Sequence, residues 1–218
     1  MQFFKQFIKY IFHPKYWLVE ELVHEKKWIN ENVAKALLDE ILLSIPNIEY
    51  TQSDGFDRRK IFFPENIIFK SKIFEDYIKP NISKKYQLAL LMFNELDGST
   101  PNIGSGEGWH RDAWFSQYKE IIFLSNVGIS NGPFQFVPGS SRIIKKLISF
   151  LKGESDRLNS NIDQHYETVI ADNGDRVKFD ATLIHRGAPI NNGFRYAMTF
   201  YYYPDFINIE KLRKKFEG

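Results

Sequence analysis

The sequence predicts a mainly β chain, a jelly roll or barrel with flanking helices and a helical N-terminal third. Two observations carry this. From about residue 85 onward, short runs rich in β-branched and aromatic residues follow one another, with Gly, Asn, Asp or Pro clusters between them. Before residue 80 the apolar residues recur instead at helical spacing.

Taken in order, Phe3, Phe4, Phe7, Ile8, Ile11 and Phe12 fall on one face of a first helix, with Gln2, Lys5, Gln6 and Lys9 opposite. A second stripe, Ala34, Leu37, Leu38, Ile41 and Leu42, ends at Pro46, and the stretch from Pro64 to Ile78 reads as partly helical. Strands are then expected over 86–96, 118–127, 134–137, 166–171, 175–179, 181–185 and 195–203. The turn signals are NGP at 131–133, PGS at 138–140, DNGD at 172–175 and NNG at 191–193. One helix near Ser141 to Leu151, with Ser140 placed to cap it, interrupts the strands, and another is expected after Pro204. The organisation is a single domain over 1–218: a mostly helical part to residue 80, a jelly-roll core over 85–204 and a C-terminal helix over 205–218.

Composition narrows the function classes. The chain has no cysteine, which excludes disulfides, thiolate metal sites and cysteine nucleophiles, and fits a reducing, cytoplasmic setting. Any metal must therefore take nitrogen and oxygen ligands. Its 29 basic and 27 acidic residues are interspersed, so no field for nucleic acid is expected. No run is long enough to span a bilayer, and lysines at 5 and 9 interrupt anything like a signal peptide. The amphipathic helix over Met1–His13 packs on the core or, as the alternative, meets a membrane surface or a protein partner.

The stretch GWHRDAW places His110 and Asp112 two residues apart, so on a strand both project from one face. That spacing alone is weak, and His165-Tyr166-Glu167 offers a rival pair. The third ligand decides. His185, at the end of the apolar run ATLIH, follows Asp112 by 73 residues, enough to run several strands and return, whereas it follows Glu167 by only 18. Two imidazoles and one carboxylate on one face of an octahedron leave three adjacent positions open, as in non-haem Fe(II) oxygenases. A 2-oxo acid would chelate two of these and leave one for dioxygen. Its far carboxylate then needs a cation, and Arg195, ten residues beyond His185 on the next strand and brought back beside it by the turn PINNG, offers a guanidinium that binds it through two parallel hydrogen bonds. Thr199, four residues further on the same strand face, adds a hydroxyl. Arg111, Trp114 and Phe115 adjoin the ligands and are candidates for the substrate pocket, although Trp109 and Trp114 fit core packing equally well. The Gly-rich stretch DGSTPNIGSGEG (97–108) is a plain connection or an active-site lid.

GWHRDAW, KEIIFLSNVGISNGPFQFVPGSSR and GDRVKFDATLIHRGAPINNGFRYAMTFYY, in that order over roughly 86–203, resemble the phytanoyl-CoA dioxygenase-like branch of the Fe(II)/2-oxoglutarate oxygenases. The resemblance implies a cupin-like double-stranded β-helix in which His110, Asp112 and His185 bind iron and Arg195 anchors 2-oxoglutarate. It also implies oxidative decarboxylation of 2-oxoglutarate to succinate, with O2 consumed and a small-molecule substrate hydroxylated. The sequence departs from the family where a hydroxyl side chain two residues after the distal histidine is replaced by Gly187. Asp112 stands where related halogenases carry a small residue, so halogenation is not expected. The alternatives are a cupin-like metal-dependent isomerase or epimerase, suggested by the Gly174 to His185 pattern, and a catalytically silent binding protein. A sugar or lipid-linked cell-envelope intermediate would suit an enzyme whose first helix touches a membrane.

Overall fold

Branched and aromatic side chains crowd the second half of the chain because they fill a pleated surface well, and there the backbone forms paired antiparallel strands. The computed structural model describes residues 2–16, 20–44, 57–62, 72–97, 105–115, 117–153, 158 and 165–214. Its elements are α1 (Gln2–Ile11), β1 (Leu22–Glu25), α2 (Glu31–Ser44), β2 (Asp57–Phe62), β3 (Gln87–Asp97), β4 (Ser105–His110), β5 (Tyr118–Phe123), β6 (Phe134–Phe136), α3 (Ile143–Leu151), β7 (Glu167–Val169), β8 (Arg176–Asp180), β9 (His185–Gly187), β10 (Phe194–Tyr203) and α4 (Ile209–Arg213). One sheet has the order β1-β8-β5-β10-β3-β2 and the other β4-β9-β6-β7. From β3 to β6 the chain crosses between sheets at every step, and again from β7 to β10, which is the jelly-roll winding the strand pattern predicted.

The six-stranded sheet is covered on both faces. On β10 the side chains of Tyr196, Met198, Phe200 and Tyr202 join a core with Leu91, Phe93, Ile122 and Leu124. Against this core pack Ala34, Leu37 and Ile41 of α2, one turn or two apart, together with Tyr16 and Ile29. The backbones touch where the segment leading into α2 meets the turn before β8: Gly174 has φ +94°, and a Cβ there would lie 2.3 Å from the Ile29 carbonyl oxygen. The opposite face, carrying Arg195, Ala197, Thr199 and Tyr201, points inward between the sheets. Part of that interior is filled by Phe123, Phe134, Phe136, Val169, Val177 and Phe179. The rest is a cavity.

Four expectations need correction. The N-terminal third is not all helical, since β1 and β2 extend the two edges of the larger sheet by pairing with β8 and β3. The run Ala181–Leu183 is a turn, not a strand: Asp180 Oδ1 accepts from Thr182 N at 2.9 Å and the Asp180 carbonyl accepts from Leu183 N. His185 therefore opens β9 and does not close a strand. Ser140 does not cap α3, because its Oγ is 2.8 Å from Ile184 N and takes that amide's hydrogen, and the helix starts at Ile143. The C-terminal helix is limited, among the described residues, to Ile209–Arg213 and is capped by the Asn208 side chain. Helix expected over 64–71, and most of the proposed lid at 98–104, lie outside the described residues.

Candidate metal centre

His110 is the last residue of β4 and His185 the first of β9, and the two are register partners across the smaller sheet. Directly opposed residues in antiparallel strands bring their side chains together on one face. The two ring centroids are accordingly 4.5 Å apart. Each ring is held the same way. His110 Nδ1 lies 2.8 Å from the Gly108 carbonyl oxygen, and His185 Nδ1 lies 2.9 Å from that of Leu183, in both cases the residue two positions earlier. A carbonyl only accepts, so Nδ1 carries the hydrogen in both rings, and in the neutral imidazole Nε2 keeps its lone pair for the cavity.

Asp112 sits two residues past the end of β4, held by its amide on the Ala181 carbonyl at 3.0 Å. Its carboxylate reaches back to both rings: Oδ1 is 3.7 Å from His110 Nε2 and Oδ2 is 3.2 Å from His185 Nε2. One ligand atom from each of the three residues lies within 4.8 Å of the other two. Octahedral neighbours at a first-row metal stand about 3 Å apart, so small rotations close the set. Oδ2 is buried and makes no hydrogen bond, an atom that a cation would satisfy.

The electrostatics fit a cation too. Burial, reinforced by the neighbouring His185, pushes the His110 imidazole down to about 3, so it stays neutral. For Asp112, burial opposes ionisation, but the Lys119 ammonium outweighs it and holds the carboxyl well below the usual carboxylate range. Lys119 Nζ is 2.8 Å from Asp112 Oδ1 and 4.2 Å from the Tyr201 ring centroid. Burial works against this ammonium, yet Asp112 raises its pKa above the ordinary lysine value.

The three residues line a cavity of about 170 Å³, together with Arg195, Thr199, Lys119 and Asn94. Arg195 and Thr199 are buried and share the inward face of β10, as their spacing predicted. β10 lies in the larger sheet, however, so Arg195 reaches the cavity from the wall opposite His185 and not from a neighbouring strand. Its Nη1 donates to the Gly132 carbonyl. Gly132 must be glycine: φ is +78°, and a Cβ would lie 2.7 Å from the Ile190 side chain and 2.9 Å from the Ala188 carbonyl. Gly187, where a hydroxyl was missed in the sequence, also lines the cavity.

Other candidates stand elsewhere. Arg111, Trp114 and Phe115 are not in the cavity lining. Arg111 is buried and donates to the carbonyls of Ser140 and Thr182, tying the chain after His110 to the turn before His185. Trp114 meets Phe150 edge-on, and Phe115 packs against Phe7 and Tyr10 of α1. Trp109 is core, against Val137 and Ile184. His165 and Glu167 are both exposed and form no metal cluster among the described residues. Lys119 was overlooked, although its alternation with Ile121 and Phe123 marked it as inward-facing.

The family model for phytanoyl-CoA dioxygenase matches residues 71–197, more than half of the chain. The chain belongs to the phytanoyl-CoA dioxygenase family. That span carries every member of the constellation except Thr199, which lies two residues past its end. No curated protein sequence matches the chain. Among solved structures, HygX from Streptomyces hygroscopicus, crystallised with nickel, 2-oxoglutarate and hygromycin B, is similar with TM-score 0.60 at 14% identity, covering 94% of this chain and 88% of that one. SnoN, a non-heme alpha ketoglutarate dependent epimerase from nogalamycin biosynthesis, is similar with TM-score 0.59 at 18% identity, covering 85% and 77%. SnoK, a carbocyclase of the same biosynthesis, is similar with TM-score 0.54 at 13% identity over 94% and 88%. These likenesses show the same fold over most of the chain. No helix among the described residues is long and apolar enough to cross a membrane.

Proposed function

We propose that the chain is an Fe(II)- and 2-oxoglutarate-dependent dioxygenase that hydroxylates a small molecule. The observation that carries this is the facing pair of Nε2 atoms with the unsatisfied Asp112 Oδ2 beside them, in a cavity whose opposite wall holds a buried guanidinium. Family membership supports it, as do the iron, nickel and 2-oxoglutarate bound by HygX and SnoN.

His110, Asp112 and His185 would hold the iron, each through one atom. The backbone ties on the two Nδ1 atoms prevent the rings from turning away. Lys119, by occupying Asp112 Oδ1, would leave Oδ2 as the oxygen free to hold the metal. Bound there, iron and 2-oxoglutarate supply the oxidative chemistry: O2 is reduced as 2-oxoglutarate becomes succinate and carbon dioxide, and a substrate C–H bond becomes C–OH. Arg195 and Thr199 would hold the far carboxylate of 2-oxoglutarate, the guanidinium through paired hydrogen bonds. Phe123, Phe134 and Phe179 close one side of the cavity against water. HygX and SnoN were crystallised with hygromycin B and nogalamycin RO, which supports a small-molecule substrate here.

The test is succinate formation with Fe(II), ascorbate and 2-oxoglutarate, paired with the mass of the product. Hydroxylation adds one oxygen atom derived from O2. A substrate inverted at one carbon with unchanged mass, and with 2-oxoglutarate still consumed, would place the chain with epimerases such as SnoN instead. Turnover independent of 2-oxoglutarate would point to a cupin-like isomerase and overturn the proposal. No metal uptake and no 2-oxoglutarate binding would make it a silent binding protein.

A further inference from the structure

Seven of the large apolar side chains exposed among the described residues belong to two helices, and an eighth, Phe12, directly follows one of them. On α3, Ile144, Ile148 and Leu151 follow one another at i, i+4 and i+7 and are 69%, 46% and 81% exposed. That spacing makes a continuous apolar row along one side of the helix. Ile8 and Ile11 of α1 and Phe12 just after it are 40%, 40% and 75% exposed. A globular helix normally buries its apolar stripe, but on both of these the contacts to the rest of the protein are made by other residues. Phe7 and Tyr10 of α1 pack on Phe115, while Lys146 of α3 is buried with its ammonium over the Tyr10 and Phe115 rings. The outer rows are therefore surplus to the core. The helices are neighbours, joined through Phe115 and separated by a groove of about 560 Å³ lined by Phe7, Ile11, Arg142 and Ile143 among others.

Charge is segregated around these rows. The chain carries 27 acidic residues, yet none falls in 1–19 or in 139–153, the segments holding α1 and α3. Lys9, Arg142, Lys145 and Lys152 are exposed beside the apolar residues. Two carboxylates line the groove, and both are occupied inward: Glu21 accepts from the Gly139 and Ser141 amides and the Ser141 hydroxyl, and Asp180 from the Thr182 amide.

We propose that α1 and α3 form a docking face for an anionic lipid bilayer. Apolar rows rimmed by lysines, with no carboxylate on either helix, are the arrangement of interfacial helices, in which the apolar side chains enter the acyl boundary and the lysines meet the headgroups. A protein partner would call for a different rim, because lysine is depleted from protein interfaces. The protein lies on the membrane without crossing it, whether or not the cavity holds iron.

Co-sedimentation of the full chain with vesicles of phosphatidylcholine and phosphatidylserine, against vesicles of phosphatidylcholine alone, tests this. Binding is expected on the anionic vesicles, weakening as salt is raised. Ile144→Asp with Leu151→Asp should reduce it by at least about tenfold, and each of Lys145→Gln and Lys152→Gln by roughly fivefold. All four positions are exposed, so thermal melting of these variants should match the parent, which separates loss of docking from loss of fold. No binding to anionic vesicles, binding that the substitutions leave unchanged, or a concentration-dependent dimer abolished by Leu151→Asp without lipid binding would each overturn the proposal.

Discussion

The two walls of the cavity differ in kind. The smaller sheet and the chain leaving it contribute His110, Asp112 and His185, all electron-pair donors; the larger sheet contributes Lys119, Arg195 and Thr199, all hydrogen donors. One wall is built to face a cation and the other to face an anion. Lys119 and Asp112 join them at 2.8 Å, so an ion pair ties one wall to the other. The division lets metal binding and co-substrate binding be broken separately.

The largest effect should come from the donor wall. His185→Ala or His110→Ala should abolish metal retention measured by elemental analysis, and turnover with it, while the far-ultraviolet dichroism stays that of the parent. Asp112→Ala should lose the metal and also lower stability by about 3–5 kcal/mol, because it leaves the buried Lys119 ammonium unpaired. A parent-like melting curve for that variant would show that the pair is not closed in solution.

Next comes the opposite wall. Arg195→Ala should weaken 2-oxoglutarate binding by roughly two to four powers of ten, the equivalent of about 3–5 kcal/mol, with metal content unchanged. Calorimetric titration of 2-oxoglutarate into metal-loaded protein reads this directly, and normal affinity would remove Arg195 from its role. Lys119→Met strikes the bridge. Metal affinity should fall about 10- to 100-fold, as when an outer partner of a ligand is lost, and the d–d spectrum of the cobalt form should shift if Asp112 becomes bidentate. The smallest change is Thr199→Val, which removes one hydroxyl and should cost 2-oxoglutarate binding about 0.5–1.5 kcal/mol, or roughly tenfold at most.

Legibility followed the same division. Residues that recur in a fixed order with turn signals between them, such as His110, Asp112, His185 and Arg195, could be read before any coordinates. Strand alternation could be read too, and it placed Thr199 on the face of Arg195. What stayed hidden was tertiary. β1 is an ordinary polar segment, LVHE, that becomes a strand only because β8 offers it an edge. β10 is buried on both faces, so its apolar and polar residues do not alternate cleanly and the sequence gives no hint which side meets α2. The turn at Ala181–Leu183 was masked by its apolar residues, since the capturing group, Asp180, lies just before the run. Lys119 was legible by periodicity, but a lysine in a strand reads first as a surface charge.

The backbone ties on His110 and His185 have a consequence for the kind of reaction this pocket can run. An imidazole whose Nδ1 hydrogen is held by a carbonyl and whose Nε2 would hold a metal is poorly placed to take a proton, and the remaining ionisable groups among the described lining residues are an ion-paired carboxylate, two cations and a phenol bonded to the Met92 sulfur. Among the described residues that line the cavity, no unpaired carboxylate stands ready to take a proton from a carbon acid, an arrangement in keeping with the oxidative C–H chemistry proposed above.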